Sequence, residues 1–287
     1  MKCFYHSADL DGMCSGAIVK MAYPDCEMIG INYGDEFPWD EINEYEMVFM
    51  VDFSLQPFNP KMIDLSEKCG LIWTDHHKSA IEEYEQWSGV FKGIQKSGLG
   101  ACALVWEYLG DKWPVGFNLN QGSIMPTFIK LLAEYDVWNH SDPRTLSFQY
   151  GMRQVKDTSP ENQDFWYSLF DVEMVHRITE NGGIILDYQM SENRKYMDAC
   201  GFDTKIDGLK CIAINRMLTN SQMFDSVWSP DIYDAMLTFG FRKGQWTVSL
   251  YSDREDVDVS TIAKNRGGGG HKGAAGFQCK DLPFELK

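Results

Sequence analysis

An apolar run that ends in ionisable residues occupies positions 71–77, which read Leu-Ile-Trp-Thr-Asp-His-His. A short run of this kind is typical of a strand buried on both faces, because a half-buried strand would alternate apolar and polar residues. The same arrangement occurs twice earlier in the chain, where residues 3–5 precede His6 and residues 47–51 precede Asp52. These strands predict a sheet that is covered by helices.

Helical patterns alternate with these strands in the first half of the chain. Strands are predicted at residues 3–5, 26–32, 47–53, 71–75 and 90–95. Helices are predicted at residues 12–22, 60–69 and 100–109, where apolar residues recur every three or four positions. This alternation predicts the α/β class, with a largely parallel sheet and helices on both of its faces.

From about residue 124 the pattern becomes mainly helical, and strand patterns return after residue 200. Helices are predicted at residues 127–137, 146–155, 162–170 and 172–197, with a break in the last one at Gly182-Gly183. Strands are predicted at residues 209–215, 235–242 and 246–251. This change predicts a domain at residues 1–190 and a smaller α+β domain at residues 200–287, joined by a linker helix near residues 185–200.

The charge of the chain bears on the partners it can bind. Its 287 residues include 42 acidic and 26 basic side chains, which give a formal net charge of −16. Proteins bind long nucleic acids by neutralising phosphates with Lys and Arg. The acidic composition therefore favours a short substrate over a long duplex.

Signals for export and membrane insertion are missing from the sequence. No segment reaches the roughly 18 apolar residues that a membrane span needs, and the first residues contain no secretion signal. The eight cysteines form no C-x-x-C pair, as expected for reduced thiols. We therefore expect a cytoplasmic protein with no membrane partner.

Ionisable residues cluster at the predicted carboxyl ends of the strands, where parallel sheets bind their ligands. Divalent cations need carboxylate oxygens, imidazoles suit manganese-like or zinc-like ions, and a two-metal site needs a shared carboxylate. Taken singly, the residues have ordinary alternatives, such as a helix cap at Asp9 or Asp52 and a surface pair at His76-His77. Taken together they predict a metal centre, formed by His6, Asp9, Asp11, Asp52, Asp75, His76, His77 and Asp136.

Several motifs in a fixed order carry a family resemblance. They are His6-x-x-Asp9-x-Asp11-Gly12, Asp52, Asp75-His76-His77, Tyr135-Asp136-x-Trp138 and residues 267–277, which read Gly-Gly-Gly-Gly-His-Lys-Gly-Ala-Ala-Gly-Phe. This set resembles the DHH phosphoesterases with a C-terminal DHHA1 domain, and it is most similar to their oligoribonuclease (nanoRNase B-like) branch. The resemblance spans nearly the whole chain. It implies an active site in the cleft between a DHH domain and a DHHA1 domain.

The resemblance also implies a role for each residue of the site. One metal ion is expected on His6, Asp9 and Asp52. The other is expected on Asp11, Asp52, His76 and Asp136, so that Asp52 bridges the two. Asp75 is expected to orient the site and His77 to contact the substrate phosphate, and both are assigned to catalysis. Substrate binding is expected from Gly268, Gly269, Gly270, His271 and Arg266. Two Mn²⁺ ions are the expected cofactors, with Mg²⁺ or Co²⁺ as alternatives.

The function implied by the resemblance is the hydrolysis of short oligonucleotides (nanoRNA) or small nucleotides by a hydroxide that bridges the two metal ions. The alternatives are a 3′-phosphoadenosine 5′-phosphate phosphatase, a phosphodiesterase of cyclic or linear dinucleotides, and a nucleotide sensor without catalytic activity. The direction of degradation, the preference for RNA or DNA and the formation of a homodimer stay open.

One position departs from the family pattern. Members of this type often have Arg in a Ser-Leu-Arg-Ser strand, whereas this chain reads Ser249-Leu250-Tyr251-Ser252. Arg254 or Arg266 could replace the missing cation. Alternatively, Tyr251 could stack on a nucleobase.

Overall fold

The computed structural model describes residues 1–110 and 125–286. The predicted start of the helical region, at residue 124, lies outside them. The chain divides into an N-terminal unit, Met1–Leu186, and a C-terminal unit, Asp187–Lys287. No helix within the described ranges is long and apolar enough to cross a membrane.

A parallel sheet forms the centre of the N-terminal unit. Its strands are β1 (Lys2–His6), β2 (Glu27–Ile31), β3 (Met47–Val51) and β4 (Gly70–Thr74). Their order is β2-β1-β3-β4, and all three neighbouring pairs are parallel. The carboxyl ends of the strands therefore share one edge of the sheet, as the sequence predicts.

Helices follow the strands and cover both faces of this sheet. They are α1 (Leu10–Ala22), α2 (Phe58–Lys68), α3 (Lys78–Tyr84), α4 (Ala101–Leu109), α5 (Thr127–Asp136), α6 (Thr145–Met152), α7 (Gln163–Ser168) and α8 (Val172–Cys200). Alternate strand residues enter separate cores: Cys3 and Phe49 pack with α1, α4 and α5, whereas Phe4 and Trp73 pack with α2. The predicted α/β class with helices on both faces is confirmed.

The predicted strand at residues 90–95 and the predicted helix break at Gly182-Gly183 are wrong. Residues 90–95 form only isolated bridges, Lys92 to Ile72 and Gln95 to Asp75, because Gly93 adopts a left-handed conformation (φ 115°) and interrupts the strand. Helix α8 continues through Gly182-Gly183. A Cβ at Gly182 would lie 1.8 Å from the carbonyl oxygen of Ser147, so this glycine allows close packing and does not end the helix.

The C-terminal unit contains a six-stranded sheet. Its strands are β5 (Phe202–Ile206), β6 (Leu209–Asn215), β7 (Ala235–Arg242), β8 (Gln245–Tyr251), β9 (Gly269–His271) and β10 (Ala274–Cys279). Their order is β5-β6-β7-β8-β10-β9, and the β6–β7 pair is parallel while the other pairs are antiparallel. Helix α9 (Val259–Lys264) packs on one face through Val259 and Ile262.

Candidate metal centre

A tight turn brings the start of α1 over the end of β1. A Cβ at Gly12 would lie 2.0 Å from the carbonyl oxygen of His6, so only glycine allows this approach. Asp9 is the N-cap of α1, and its Oδ1 accepts a hydrogen bond of 2.9 Å from the backbone N–H of Gly12. Its other oxygen, Oδ2, lies 2.8 Å from Nδ1 of His6. Asp9 therefore caps the helix and also faces the metal centre.

Asp52 lies immediately after β3, at the middle of the cluster. It is 1% exposed, and its φ of 55° is uncommon for a residue with a Cβ. Its Oδ2 lies 3.5 Å from Nδ1 of His6, and its Oδ1 lies 3.2 Å from Nε2 of His76. A strained, buried carboxylate between two imidazoles is an arrangement found at functional sites.

Asp136 and Asp11 complete the cluster around His76. Nε2 of His76 lies 3.0 Å from Oδ2 of Asp136, the last residue of α5, and 3.9 Å from Oδ2 of Asp11. The carboxylate of Asp11 accepts hydrogen bonds from the backbone N–H groups of Ala101 (2.6 Å) and Cys102 (3.0 Å) at the start of α4. The N-terminus of α4 thus stabilises the negative charge of Asp11.

The neighbouring carboxylates strengthen proton binding by the imidazoles of the cluster. Burial alone lowers the pKa of His76, but the carboxylates of Asp136 and Asp52 outweigh it and raise this pKa to about 11. Burial likewise lowers the pKa of His6, and the neighbouring Asp52 and Asp9 raise it to about 10. A divalent cation that binds to these ring nitrogens would have to displace their protons.

The pKa values of the carboxyl groups in the cluster shift in opposite directions. Burial, followed by the charges of Asp52 and Asp136, raises the pKa of Asp11 well above its usual range, and burial raises the pKa of Asp52. Burial also acts to raise the pKa of Asp9, but the adjacent His6 outweighs it and lowers this pKa. Burial thus disfavours the charged forms of Asp11 and Asp52, and a bound cation would offset this cost.

The donor set fits divalent metal ions. Three groups have one ligand atom per residue within 4.8 Å of one another: His6, Asp9 and Asp52; Asp11, His76 and Asp136; and Asp52, His76 and His77. Nδ1 of His6 and Oδ1 of Asp52 are buried and form no well-aligned hydrogen bond with a described residue, although the first lies 2.8 Å from Asp9 and the second 3.2 Å from His76. Buried polar atoms normally have well-aligned partners, so these two atoms are suited to bind a cation.

The structure also identifies a residue beside the cluster that the sequence did not reveal. A cavity of about 250 Å³ is lined by Asp9, Asp11, Asp136 and Arg153 among others. The guanidinium group of Arg153 lies over the rings of Tyr135 (5.4 Å) and Tyr150 (5.1 Å) and donates to the hydroxyl of Tyr135 at 2.7 Å. Arg153 lies inside a predicted helix, where no spacing or motif distinguishes it from a surface arginine.

The glycine-rich segment lies at the edge of the sheet in the C-terminal unit. Gly269 and His271 belong to β9, which pairs with β10. A Cβ at Gly268 would lie 2.1 Å from the carbonyl oxygen of Gly276, and one at Gly270 would lie 2.5 Å from that of Ala274. Close strand pairing is thus one reason for these glycines.

The residues that could replace the missing family arginine already have partners. Arg266 forms a two-pronged ion pair with Asp207 at 2.6 and 2.8 Å. Arg254 pairs in the same way with Asp256, and the hydroxyl of Tyr251 donates to the carbonyl oxygen of Thr219 at 3.3 Å. Both arginines are therefore held by carboxylates within the C-terminal unit.

Comparison with known proteins gives two sequence relatives and a similar fold. No protein-family model matches the chain. The chain is 27% identical to the uncharacterized protein R106 of Acanthamoeba polyphaga mimivirus, over 83% of its own length and 55% of that protein. It is 24% identical to the oligoribonuclease NrnB of Bacillus subtilis, over 98% of its length and 74% of that protein. The chain thus spans about half of the viral relative.

One solved structure has a similar fold. The pGpG-specific phosphodiesterase PggH of Vibrio cholerae matches 96% of this chain and 92% of its own, with a TM-score of 0.57 and 13% identity. At this identity the match shows that the two chains share a fold. The sequence relationship to NrnB across nearly the whole chain confirms the resemblance to the DHH/DHHA1 phosphoesterases that the sequence motifs carry.

Proposed function

We propose that the chain is a metal-dependent phosphohydrolase that cleaves phosphodiester bonds of short oligonucleotides. The observation that carries this proposal is the cluster of carboxylates and imidazoles around Asp52, which contains three groups of possible ligand atoms, each group within 4.8 Å. The sequence relationship to an oligoribonuclease supports phosphoesterase activity, and the acidic composition favours a short substrate.

The proposed ligand sets follow the distances in the cluster. His6, Asp9 and Asp52 would hold one divalent ion, and Asp11, His76, Asp136 and Asp52 the other, with Mn²⁺ as the proposed metal. When bound, such ions supply positive charge for the phosphoryl oxygens and lower the pKa of a coordinated water. The protein contributes the fixed geometry, because its ligands extend from strand ends and the start of α1.

Asp75 and His77 are proposed to act on the substrate side of the centre. Asp75 is fully buried and holds Nδ1 of His77 at 2.7 Å, which leaves Nε2 as the ring nitrogen that can exchange a proton with the substrate. Burial lowers the pKa of His77, but Asp75 outweighs it and raises this pKa, which favours the imidazolium form. An imidazolium could donate a proton to the leaving oxygen.

Basic and glycine residues are proposed to contact the substrate. Arg153 faces the cavity beside Asp9 and Asp136, where its guanidinium can bind a phosphate oxygen. Gly268, Gly269, Gly270 and His271 are proposed as a second set of contacts, through backbone N–H groups and the imidazole. Arg266, which the sequence suggests for this set, is held by Asp207.

A turnover screen tests the proposal and separates its alternatives. The metal-stripped protein is supplied with Mn²⁺, Mg²⁺ or Co²⁺ and offered dinucleotides to pentanucleotides, linear and cyclic dinucleotides, and 3′-phosphoadenosine 5′-phosphate. We expect cleavage of the oligonucleotides that depends on the added metal and is lost in Asp52→Asn. The matched control is Asp64→Asn, because Asp64 is exposed on α2. Binding of a nucleotide without turnover of any substrate would contradict the proposal and indicate a sensor.

A further inference from the structure

The C-terminal unit contains a cavity of about 500 Å³ that the proposed activity does not use. Its walls are formed by the loop after β6, by the β7–β8 hairpin and by one face of the sheet. Its basic lining residues are Arg216, Arg242 and Lys243, and no Asp or Glu lines it. In a chain with a net charge of −16, a cavity with basic and no acidic side chains favours an anionic ligand.

The three cations differ from Arg254 and Arg266 of the same unit. Arg254 and Arg266 are each neutralised by aspartates at hydrogen-bond distance. For Arg216, Arg242 and Lys243, no ion pair with a described carboxylate is found. Their charge is therefore available to a ligand from solution.

Local structure fixes the backbone that carries Arg242 and Lys243 and the side chain of Arg216. Lys243 and Gly244 have φ values of 51° and 84°, as in the tight two-residue turns that join antiparallel strands. Arg242 pairs with Gln245 across this hairpin. The guanidinium group of Arg216 lies 4.8 Å from the ring centre of Tyr196, and its Nη1 lies 3.5 Å from Sδ of Met223. Ordered cations lose less entropy when they bind an anion.

The floor of the cavity is a polar face of the sheet. Thr238 pairs with Ser249, Gly240 with Thr247, and Gln278 with Thr247, so these side chains point to the same side. This face offers hydroxyl and amide donors beside the cations. Met217 covers Gly240, where a Cβ would lie 2.1 Å from Cγ of Met217, and closes the floor next to Arg216.

The loop beside the cavity presents an apolar side chain to solvent. Leu218 is 98% exposed and has a φ of 57°, a conformation that is unfavourable for a residue with a Cβ. The next residue, Thr219, is held through its carbonyl oxygen by the hydroxyl of Tyr251. A strained backbone that neighbouring contacts hold in place is typical of ligand-binding loops. Leu218 can contact a flat apolar group such as a nucleobase.

We propose that this cavity binds the phosphate group of a nucleotide through Arg216, Arg242 and Lys243, with Leu218 against the base. The size of the cavity suits a small ligand, since such sites commonly enclose about 300–1,000 Å³. The nucleotide is either a free mononucleotide or the terminal nucleotide of an oligonucleotide. The site lies entirely within the C-terminal unit and needs no metal ion, so it is independent of the proposed catalytic centre.

Calorimetric titration of the full chain in EDTA tests the site while the metal ligands stay empty. Adenosine 5′-monophosphate is expected to bind, and adenosine is expected to bind at least about tenfold more weakly. The variant Arg242→Gln/Lys243→Gln is expected to weaken binding of the monophosphate at least about tenfold. The control Lys264→Gln/Lys280→Gln removes two exposed charges from the same unit outside the cavity and is expected to change the affinity less than about twofold.

Further arms of the experiment locate the ligand and identify its source. Amide NMR shifts are expected at Lys243, Gly244 and Gln245 when the monophosphate is added. The KM of the cavity variant is then measured with Mn²⁺ present. A KM that rises only for longer oligonucleotides shows that the cavity binds the terminal nucleotide of the substrate. An unchanged KM with lost monophosphate binding assigns it to a free nucleotide.

Three results would overturn the proposal. The first is that the wild-type protein does not bind the monophosphate in EDTA. The second is that the control variant Lys264→Gln/Lys280→Gln weakens binding as much as the cavity variant does. The third is that His271→Ala loses monophosphate binding while the cavity variant keeps it. A melting curve checks that each variant is folded. Monophosphate binding without any turnover would contradict the proposed enzymatic function and leave this site standing.

Discussion

Oδ1 of Asp75 lies 2.7 Å from Nδ1 of His77 and also accepts hydrogen bonds from the backbone N–H groups of His76 (2.7 Å) and His77 (3.1 Å). One buried oxygen therefore fixes the turn that directs His76 towards Asp52 and Asp136, and it also fixes the tautomer of His77. The carboxylate of Asp75 connects the proposed metal centre with the proposed proton donor. Such outer contacts orient the groups that perform the chemistry.

Replacing Asp75 by Asn should reduce kcat more than it raises KM. The amide oxygen of Asn can still accept a hydrogen bond from Nδ1 of His77, but the negative charge that raises the pKa of the ring is lost. We expect a fall in kcat of about 10²-fold, within the range of acid–base contributions. If imidazolium is the active form, activity falls as the pH rises through the pKa of His77, so this alkaline limb should move to lower pH in the variant.

Steady-state kinetics over a pH series, with metal content measured in parallel, check this prediction. His176→Ala is the control, since His176 is exposed on α8. An Asp75→Asn enzyme with the same alkaline limb as the wild type would show that Asp75 does not act through His77.

Asp52 should be needed for both metal ions, whereas Asp9 should be needed for one. The Asp52 carboxylate faces His6 through one oxygen and His76 through the other. We expect about two Mn²⁺ per wild-type chain, about one in Asp9→Ala and almost none in Asp52→Ala, measured by elemental analysis after dialysis. Asp64→Ala should bind as the wild type does. One retained ion in Asp52→Ala would mean that Asp52 does not bridge the pair.

The sequence predicts the positions of these carboxylates because of a simple topological fact. The apolar runs before His6, Asp52 and Asp75 can only be buried strands, and parallel strands end at one edge. Residues that are distant in the sequence therefore meet at that edge of the sheet. The sequence does not predict the distances between them or which residues share a metal ion, because these depend on side-chain rotamers and on the left-handed backbone of Asp52.

Features that depend on tertiary packing are missing from the sequence patterns. Gly182-Gly183 predicts a helix break from local propensity, but the close approach to Ser147 uses the glycine within a continuous helix. Strand β9, with three residues, and helix α9, with six, are too short to show a clear period. Arg153 acquires its significance only from the two tyrosine rings on either side of it and the cavity it faces.

Metal binding should release protons and should become tighter as the pH rises. In the metal-free cluster the pKa values of His6 and His76 are about 10 and about 11, so both rings are protonated at pH 7. Ligation requires neutral rings, so each proton that is displaced makes the affinity rise by up to about tenfold per pH unit. Calorimetry in buffers of different ionisation enthalpy measures the protons released. Binding of Mn²⁺ without proton release would contradict the assignment of both histidines as ligands.

Glu134 should stabilise the end of α5, where Asp136 lies. Its buried carboxylate accepts hydrogen bonds from Oγ of Ser141 (2.7 Å), the backbone N–H of Asp142 (3.0 Å) and Oγ1 of Thr145 (2.8 Å). We expect Glu134→Gln to lower the free energy of unfolding by about 1–3 kcal/mol. Urea denaturation measures it, with exposed Glu82→Gln as the control.

The same substitution has a predictable dependence on pH. Burial acts to raise the pKa of Glu134, but its hydrogen-bond donors outweigh this and lower it below the ordinary value of 4.5. The carboxylate therefore stabilises the fold above about pH 4.5, and this contribution is lost as the pH falls through the folded-state pKa. The difference in stability between wild type and Glu134→Gln should shrink over that window. A constant difference would show that the charge of Glu134 is unimportant.

Arg153 should affect the substrate and leave the metal ions in place. Its guanidinium lies beside the cluster without being a ligand, and the rings of Tyr135 and Tyr150 hold its plane. Lysine keeps the charge but cannot form two parallel hydrogen bonds to a phosphate or stack as a plane, so Arg153→Lys should lose much of the contribution to substrate binding.

We expect kcat/KM to fall about tenfold or more in Arg153→Lys and further in Arg153→Ala, with unchanged Mn²⁺ content. Arg177→Lys is the control, because Arg177 is exposed on α8 and lies outside this cavity. Full activity of Arg153→Ala would show that Arg153 does not contact the substrate. Loss of metal in that variant would show that Arg153 stabilises the structure of the proposed metal centre.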